Sequence, residues 1–189
     1  MAIDRKQSVV DAASKSFALF GYKATTMEQV AKLANVGKGT IYTFFKNKEE
    51  LFDEIVTRMI REMTDAAETV IDSNRPFFEN AQAAIFRILE FRTEHQLMLK
   101  LVQEQQLGTT AVQEVLVRVE EEILTYIKNK IEIAISKKEI KPCNPELTAF
   151  LLFKMYIALV YDWEKRHEPL SEEKIAELIE LYFLRGLSQ

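Results

Sequence analysis

Apolar residues recur along the chain at steps of three and four, the spacing that places side chains on one face of an α-helix. The N-terminal segment has this pattern at Val10, Ala13, Phe17 and Phe20, and Gly21 follows it. Glycine often ends a helix because it adopts backbone conformations that other residues avoid. The pattern therefore predicts a first helix that ends at Gly21.

Capping residues predict a short second helix. Either Thr25 or Thr26 can cap it, because Glu28 or Gln29 then stands three residues later and completes a capping box. The helix would be about nine residues long, and Asn35 follows it, a residue that tolerates the left-handed conformation of a sharp turn. The predicted buried stripe is Met27, Val30, Ala31 and Ala34.

The next segment, residues 37–45, has too many glycine and β-branched residues to form a robust helix alone. We expect packing to hold it, with Val36, Ile41 and Phe45 facing inward. The residues left to face outward are Lys38, Gly39, Thr40, Tyr42 and Thr43. Small, hydroxyl-bearing and basic side chains suit a groove lined by phosphates.

Longer helical patterns fill the rest of the chain. Asn47 caps a fourth helix with Glu50 at its third position, and Asn144 and Ser171 cap two later ones. Five helices are predicted after the fourth, at roughly 77–93, 95–106, 110–137, 145–166 and 172–186. With only five Gly and four Pro, the chain lacks the turns of a β-sandwich or barrel. We predict an all-α fold of about nine helices.

Charge is distributed unevenly between the two ends of the sequence. Residues 1–48 hold eight basic and three acidic side chains, a net charge of +5, whereas the remainder holds 17 basic and 26 acidic, a net charge of −9. The positive charge of residues 1–48, next to a negatively charged remainder, indicates that the N-terminal segment binds a polyanion.

Composition excludes several other classes of protein. The first six residues lead into no apolar signal-peptide core, and the most apolar stretch, 147–163, is interrupted by Lys154 and Asp162. We therefore expect a cytoplasmic protein without a membrane anchor. His95 and His167 lie in different segments, and metal-ligand spacings, phosphate loops and nucleophile elbows are absent from the sequence. We expect no enzyme activity, no metal and no other cofactor.

Two short helices joined by a tight turn, the second one small, polar and basic on its outer side, are typical of a helix-turn-helix. The run TTMEQVA at 25–31, continued by GKGTIYTFFKNKEEL at 37–51, resembles the signature of the tetracycline-repressor (TetR) family of bacterial regulators. The resemblance covers residues 8–56 with its order and spacing kept. It implies a DNA-binding transcriptional repressor that acts as a homodimer.

This sequence departs from the family pattern at three positions. Asn35 stands where glycine is usual, Gly37 where serine is frequent, and Thr43 where a larger or basic residue is common. The last departure bears on which base is read. The expected domains are a helix-turn-helix domain at 1–48 and a helical effector-binding and dimerisation domain at 49–189.

Two groups of residues are expected at the DNA. The first group meets base edges or phosphates, with Gly39 allowing close approach of the backbone because it has no Cβ. The second group binds phosphate oxygens through hydroxyl, ammonium and helix-end amide groups. The first group is Lys38, Gly39, Thr40 and Thr43, and the second is Thr26, Tyr42 and Lys48. A core position for Tyr42 and a merely solvated position for Lys48 are the alternatives.

The segments 145–166 and 172–186 are rich in apolar residues, the first of them nearly all round. Such helices must be covered on both sides, and the family arrangement implies a four-helix interface between two subunits. The expected interface residues are Leu151, Met155, Ala158, Leu159, Ile175, Leu178, Ile179, Tyr182 and Phe183. Two recognition helices about 34–36 Å apart would then match successive major grooves of a near-palindromic operator.

A pocket for a small, largely hydrophobic effector is expected among the helices of residues 55–165, where methionine and aromatic side chains give a pliable lining. The candidates are Met59, Met63, Phe86, Phe91, Met98, Phe153, Tyr156 and Trp163, with Glu104 as a polar contact. Methionine and aromatic residues at helical spacing more often form ordinary core, and a solvated helix end explains Glu104 equally well.

Two other functions remain open on the sequence alone. The chain could be a DNA-binding adaptor without a small-molecule effector, or a helical enzyme or carrier with a basic N-terminal arm. Salt-dependent binding to one palindromic duplex would separate a repressor from the second alternative.

Overall fold

A computed structural model describes residues 5–94 and 110–187 of the chain. The regular elements within these two ranges are all helical, so the predicted all-α fold is confirmed. Two compact units divide the described residues: 5–62, 94 and 110–119 form the first, and 63–93 and 120–187 form the second. Residues 49–62 thus group with the N-terminal segment in this division, and a domain boundary at residue 48 stays a prediction. The predicted helix 95–106 lies outside the described residues.

The helices of the described ranges agree closely with the predicted ones. They are α1 (Arg5–Ala24), α2 (Met27–Leu33), α3 (Lys38–Phe44), α4 (Lys48–Glu68), α5 (Phe77–Glu94), α6 (Thr110–Ser136), α7 (Pro145–Ile157) and α8 (Glu172–Ile179). Helix α7 continues as a π-helix over Ala158–Asp162 and a short 3-10 helix over Trp163–Lys165. Helix α8 continues as a π-helix over Glu180–Leu184 and one α-turn over Arg185–Leu187.

Gly21 interrupts α1 as the sequence predicts. Its φ of 83° and ψ of 167° are non-helical, and the assigned helix resumes only as far as Ala24. Few residues other than glycine adopt this conformation without strain. Thr25 stabilises this break, because its Oγ1 donates to the Gly21 carbonyl at 2.9 Å and lies 3.0 Å from Ser16 Oγ.

Thr26, and not Thr25, caps α2. Its hydroxyl accepts from the Gln29 amide at 3.2 Å, and its own amide donates to Gln29 Oε1 at 2.9 Å, which completes the capping box. The helix has seven residues rather than about nine, because Ala34 already caps it and Asn35 turns the chain with a φ of 53°. The predicted left-handed turn at Asn35 is confirmed.

Aromatic packing forms the core of the first unit. The rings of Phe17, Tyr22 and Phe52 contact one another at centroid distances of 4.7 to 5.7 Å. Phe17 and Phe52 are almost fully buried, as are Val9 and Leu51. This core joins α1 to the start of α4.

Helix α4 begins at the predicted cap. Asn47 Oδ1 accepts from the Glu50 amide at 2.8 Å, and Glu50 Oε2 accepts from the Lys46 amide at 2.7 Å. The apolar face predicted for this helix is buried over Leu51, Phe52, Ile55, Val56, Met59 and Ile60.

The second unit is built from the end of α4 with α5, α7, α8 and most of α6. Its predicted caps are confirmed: Asn144 Oδ1 accepts from the Leu147 amide at 3.0 Å, and Ser171 Oγ from the Lys174 amide at 3.2 Å. One buried cluster centres on Leu89, Val160, Ile175, Ala176, Ile179 and Leu184, and another on Ile131, Ala134, Ile140 and Ala149. In the described ranges, residues 5–94 and 110–187, none of the helices is both long and apolar enough to cross a membrane.

Candidate nucleic-acid interface and internal cavity

Helix α3 is held from one side and exposed on the other. Ile41 and Phe45 are 0% and 2% exposed, whereas Lys38, Gly39, Tyr42 and Thr43 are exposed and Thr40 is half-buried. Buried apolar side chains therefore supply the stability that the glycine and β-branched residues lack. These four exposed residues and Thr40 define a surface that we name the α3 face: Lys38, Gly39, Thr40, Tyr42 and Thr43.

Tyr42 lies on this face and not in the core. Its side chain is 46% exposed, which is incompatible with the alternative of a buried aromatic. Thr43 Oγ1 donates to the Thr40 carbonyl at 2.6 Å, so its hydroxyl oxygen keeps acceptor capacity toward the outside.

Gly39 faces open space. No heavy atom among the described parts of the chain lies within 4 Å of the position that a Cβ would occupy there. The fold itself therefore does not require glycine at this position. A requirement for glycine would come from a molecule that approaches α3 from outside.

Lys38 is paired across the helix-turn-helix. Its ammonium contacts the Glu28 carboxylate of α2, and both side chains are largely exposed. The hydrogen bond from Lys38 lowers the pKa of Glu28, and the same contact raises the pKa of Lys38. Sequence reasoning missed this pair, since Glu28 and Lys38 are ten residues apart and only the geometry of the turn brings them together.

Thr26 stands exposed at the N-terminus of α2, with its hydroxyl in the capping box. Its hydroxyl also donates to Gln29 Oε1 at 3.2 Å. The place predicted for a phosphate contact is thus accessible, and whether phosphate binds there stays a prediction.

Lys48 occupies a different environment from the α3 face. Its ammonium donates to the carbonyls of Tyr22 and Thr25 at 2.9 and 3.0 Å and lies 4.3 Å from the centroid of the Tyr22 ring. The Tyr22 hydroxyl in turn donates to Glu49 at 3.0 Å, and burial raises the pKa of Tyr22 well above its usual range. Lys48 therefore ties the first turn of α4 to the end of α1 and to Thr25, which follows it.

The second unit contains a cavity of about 550 Å³. Aliphatic side chains from α5, α6 and α7 and aromatic ones from α7 make up most of its wall, including Ile85, Ile88, Ile127, Ile131, Leu152, Phe153 and Tyr156. Charged residues also line it, namely Arg75, Lys130, Lys137 and Glu139. Phe153 and Tyr156 were among the predicted pocket residues.

The other predicted pocket residues lie elsewhere or beyond the described ranges. Phe86 packs against the Leu89 cluster, and Met63 and Phe91 are buried. Met59 is buried in the first unit. Trp163 is 40% exposed and stacks on the His167 ring at 3.9 Å. Met98 and Glu104 lie outside the described residues. The isoleucines of the cavity were missed because their periodicity does not distinguish a cavity wall from a core.

The predicted interface residues divide between surface and core. Leu151 and Tyr182 are 50% and 72% exposed, and Ala158 is exposed as well. Met155, Leu159, Leu178 and Phe183 are half-buried. Ile175 and Ile179 are fully buried in the second unit, because the side of α8 that carries them packs against the unit's own core.

Comparison with known proteins identifies relatives over the whole chain. The model of the family described as bacterial regulatory proteins, tetR family, matches residues 9–55. A helix-turn-helix (HTH) type transcriptional regulator of Bacillus subtilis strain 168, YhgD, is 60% identical over 189 residues, which are 100% of this chain and 99% of that one.

Solved structures share the fold over nearly the full length. The fatty acid degradation regulator FadR from Bacillus halodurans has a TM-score of 0.79 at 18% identity and covers 97% of this chain and 96% of its own. AibR, solved in complex with isovaleryl coenzyme A and operator DNA, has a TM-score of 0.67 at 18% identity, with 95% and 98% covered. At these identities the likeness concerns the fold alone.

Proposed function

The chain belongs to the TetR family of bacterial regulatory proteins and is a helix-turn-helix transcriptional regulator, and on that premise we propose that it is a homodimeric repressor whose α3 face reads a near-palindromic operator. The observation that carries this proposal is the α3 face itself. Its residues are small, basic or hydroxyl-bearing, and all but the half-buried Thr40 are exposed, while the buried Ile41 and Phe45 pack on the opposite side of the helix.

Within this proposal the residues divide by role. Lys38, Gly39, Thr40 and Thr43 lie on the side of α3 that enters the major groove, where base edges are read. Thr26 and Tyr42 bind phosphates and set the register. Lys48 acts chiefly by fixing the first turn of α4 against the end of α1, since its ammonium already donates to two carbonyl groups.

The second subunit is proposed to pack on the apolar surface of α7 and the end of α8. Five large apolar residues on this surface are at least 41% exposed in the single chain: Leu147, Phe150, Leu151, Leu181 and Tyr182. An apolar surface of this kind usually marks a protein–protein contact, which supports the proposal that a second subunit covers it. Ile175 and Ile179 are left out of this surface because they are already buried. A bacterial regulator meets its operator on the chromosome, so we place the protein in the cytoplasm.

The cavity of the second unit is proposed to hold a largely hydrophobic effector that releases the repressor from DNA. A ligand shifts DNA affinity only as far as it binds one conformation better than the other. AibR supports the idea that this fold accommodates an effector and operator DNA, because its structure holds both.

The test is selection of bound duplexes from a random pool, followed by measurement of stoichiometry. We expect one inverted repeat, two chains per duplex, and affinity that falls steeply as salt concentration rises. The Tyr42→Phe variant is expected to weaken binding to all duplexes alike. A monomer in solution, or a pool that yields no shared sequence, would contradict the proposal.

A further inference from the structure

Helix α6 borders the cavity of the second unit with two neighbouring stripes of residues. The inner stripe is apolar and consists of Ile127, Ile131 and Ala134. The outer stripe consists of Tyr126, Lys130, Ile133 and Lys137. Steps of three and four along the sequence place each set on one side of the helix. Ile133 is 49% exposed and Lys137 is exposed, so the cavity opens to solvent along the outer stripe.

The connection between α4 and α5 forms the other side of this opening, which we name the mouth. Glu68, the last residue of α4, pairs with Lys130 at 2.5 Å. Phe77, the first residue of α5, packs against the buried cluster that contains Ala134. The connection therefore follows α6 toward its C-terminal end, and Arg75 is one of the residues of the connection that line the cavity.

The cavity wall holds more cations than anions. Arg75, Lys130 and Lys137 line it, and Glu139 is the acidic side chain of the wall within the described ranges. Lys130 is already paired with Glu68, which offsets its charge. Two cations, Arg75 and Lys137, are thus left against one anion.

The donors of these two cations are unused within the fold. The ion pair of Arg75 is a contact between Nε and Asp72 at 3.9 Å, which is longer than a hydrogen bond. Asp72 accepts instead from the backbone amide and the side-chain amide of Asn74, at 2.8 and 3.0 Å. The Lys137 ammonium has no ion pair or hydrogen bond in residues 5–94 and 110–187. Both side chains can therefore bind an anion at the mouth.

The cavity is apolar behind its mouth. Ile85, Ile88, Leu152 and Phe153 contribute to this part of the wall, and the volume of about 550 Å³ lies in the range of small-molecule sites. An apolar tail would be buried there, while a charged head at the mouth would keep its contact with water. Such a head avoids the cost of burying a charge.

We propose that this cavity binds an amphipathic anion, with its apolar tail between α5, α6 and α7 and its anionic head at the mouth against Arg75 and Lys137. This inference rests on the proposed function, because it assigns a chemical class to the effector of the second unit. The competing ligand is an amphipathic cation, whose head would pair with Glu139.

The test compares eight-carbon probes that differ in their heads. Binding of octanoate, octyl phosphate, 1-octanol and octylammonium to the full-length protein is measured by isothermal titration calorimetry. Both anions are expected to bind about three- to ten-fold more tightly than 1-octanol, because ion pairs open to water contribute modestly. Octylammonium should bind more weakly than 1-octanol. The tighter of the two anions identifies the head as a carboxylate or a phosphate.

Salt concentration gives a second readout. Salt screens charges that are open to water, so the preference for the anions over 1-octanol should shrink in about 1 M sodium chloride. Binding of 1-octanol itself should not weaken, because burial of its tail does not depend on charge.

Variants then locate the anionic head. Arg75→Met and Lys137→Met should each reduce the preference for the anions, and the two together should abolish it while 1-octanol still binds. Glu139→Gln should increase the preference, because it removes the negative charge of the wall. Lys128→Met is the matched control: it removes the same charge from α6 at a position outside the wall, and the preference should be retained.

Four results would overturn the inference: none of the probes binds the wild type, 1-octanol or octylammonium binds as tightly as the anions, the preference survives in the double variant, or Lys128→Met loses it equally. Selection of operator DNA with the same preparation separates the two proposals. A protein that selects an inverted repeat but fails these probe measurements is a repressor with a different effector, whereas failure of the selection sinks the proposed function itself.

Discussion

The α3 face and the cavity of the second unit differ in how the chain builds them. The α3 face comes from one stretch of seven residues, Lys38–Phe44, and its exposed side chains need only a buried strip beneath them. The cavity is assembled from residues between Ile71 and Leu187, on several helices. The α3 face is therefore determined by neighbouring residues in the sequence, whereas the cavity depends on how helices that are distant in the sequence pack together.

The two regions also differ in packing. Phe52 in the first unit is fully buried and contacts the rings of Phe17 and Tyr22, whereas Phe153 in the second is half-buried and borders empty space. A close-packed core resists loss of volume, while a cavity wall already has space beside it. The same substitution at the two sites therefore measures the difference directly.

The largest effect is expected for Phe52→Ala. Removing this fully buried ring leaves a void beside the rings of Phe17 and Tyr22 and should lower the free energy of unfolding by about 3–5 kcal/mol. Phe153→Ala is the matched control and should cost about 1–2 kcal/mol, since it enlarges an existing cavity. Urea denaturation followed by far-ultraviolet circular dichroism gives both values, and equal losses would refute the contrast in packing.

A smaller effect is expected for Lys48→Met, which keeps the aliphatic stem but removes the ammonium from the carbonyls of Tyr22 and Thr25. We expect a loss of about 1.5–3 kcal/mol in unfolding free energy, because two charge-assisted hydrogen bonds disappear. DNA affinity should fall with it. Lys23→Met removes the same charge from an exposed position and serves as the control.

Lys48 also bears on its predicted role at phosphate. If Lys48→Met weakened DNA binding and left stability unchanged, the ammonium would act on phosphate alone and its positioning role would be wrong. The sequence could identify Lys48 as the opening residue of α4, but not the two carbonyls that it contacts more than twenty residues away.

A still smaller effect on stability is expected for Glu28→Gln. It releases Lys38 and removes a negative charge beside the α3 face, so affinity for unrelated duplexes should rise about two- to five-fold at low salt. The control is Glu54→Gln, which removes the same charge from an exposed pair with Lys6. Gel-shift titration of a random duplex compares the two variants. An equal rise in affinity for both would mean that only the net charge of the protein matters and that the position of Glu28 beside the α3 face does not.

The same pair has a defined dependence on pH. Lys38 holds the pKa of Glu28 below its usual value, so the ion pair is intact above the ordinary carboxyl pKa and is lost as pH falls through the lowered one. Near neutral pH the Glu28–Lys38 ion pair of the wild type should therefore be intact. The affinity of the wild type for a random duplex should approach that of the Glu28→Gln variant only in acid.

Local signals predicted much of this molecule. The caps at Thr26, Asn47, Asn144 and Ser171 and the turn at Asn35 are confirmed, because each depends on residues within a few positions of one another. The outward face of α3 was predicted for the same reason.

Contacts between distant residues were beyond such reasoning. The Arg92–Glu164 pair spans 72 positions, and neither residue carries a local signal that would distinguish it from a surface charge. Likewise, the pattern of α8 predicts an apolar face but cannot say that Ile175 and Ile179 turn toward their own unit.

The measurement that tests the central claim most directly is Gly39→Ala, examined for stability and for operator affinity together. Because the fold leaves open space at this position and alanine favours helix more than glycine, stability should stay equal or rise by up to about 1 kcal/mol. Operator affinity should fall about ten-fold or more, since the new methyl group would meet the DNA. Gly186→Ala, which also faces open space, should leave DNA binding unchanged. Undiminished operator binding by a stable Gly39→Ala variant would contradict the claim that α3 enters the groove.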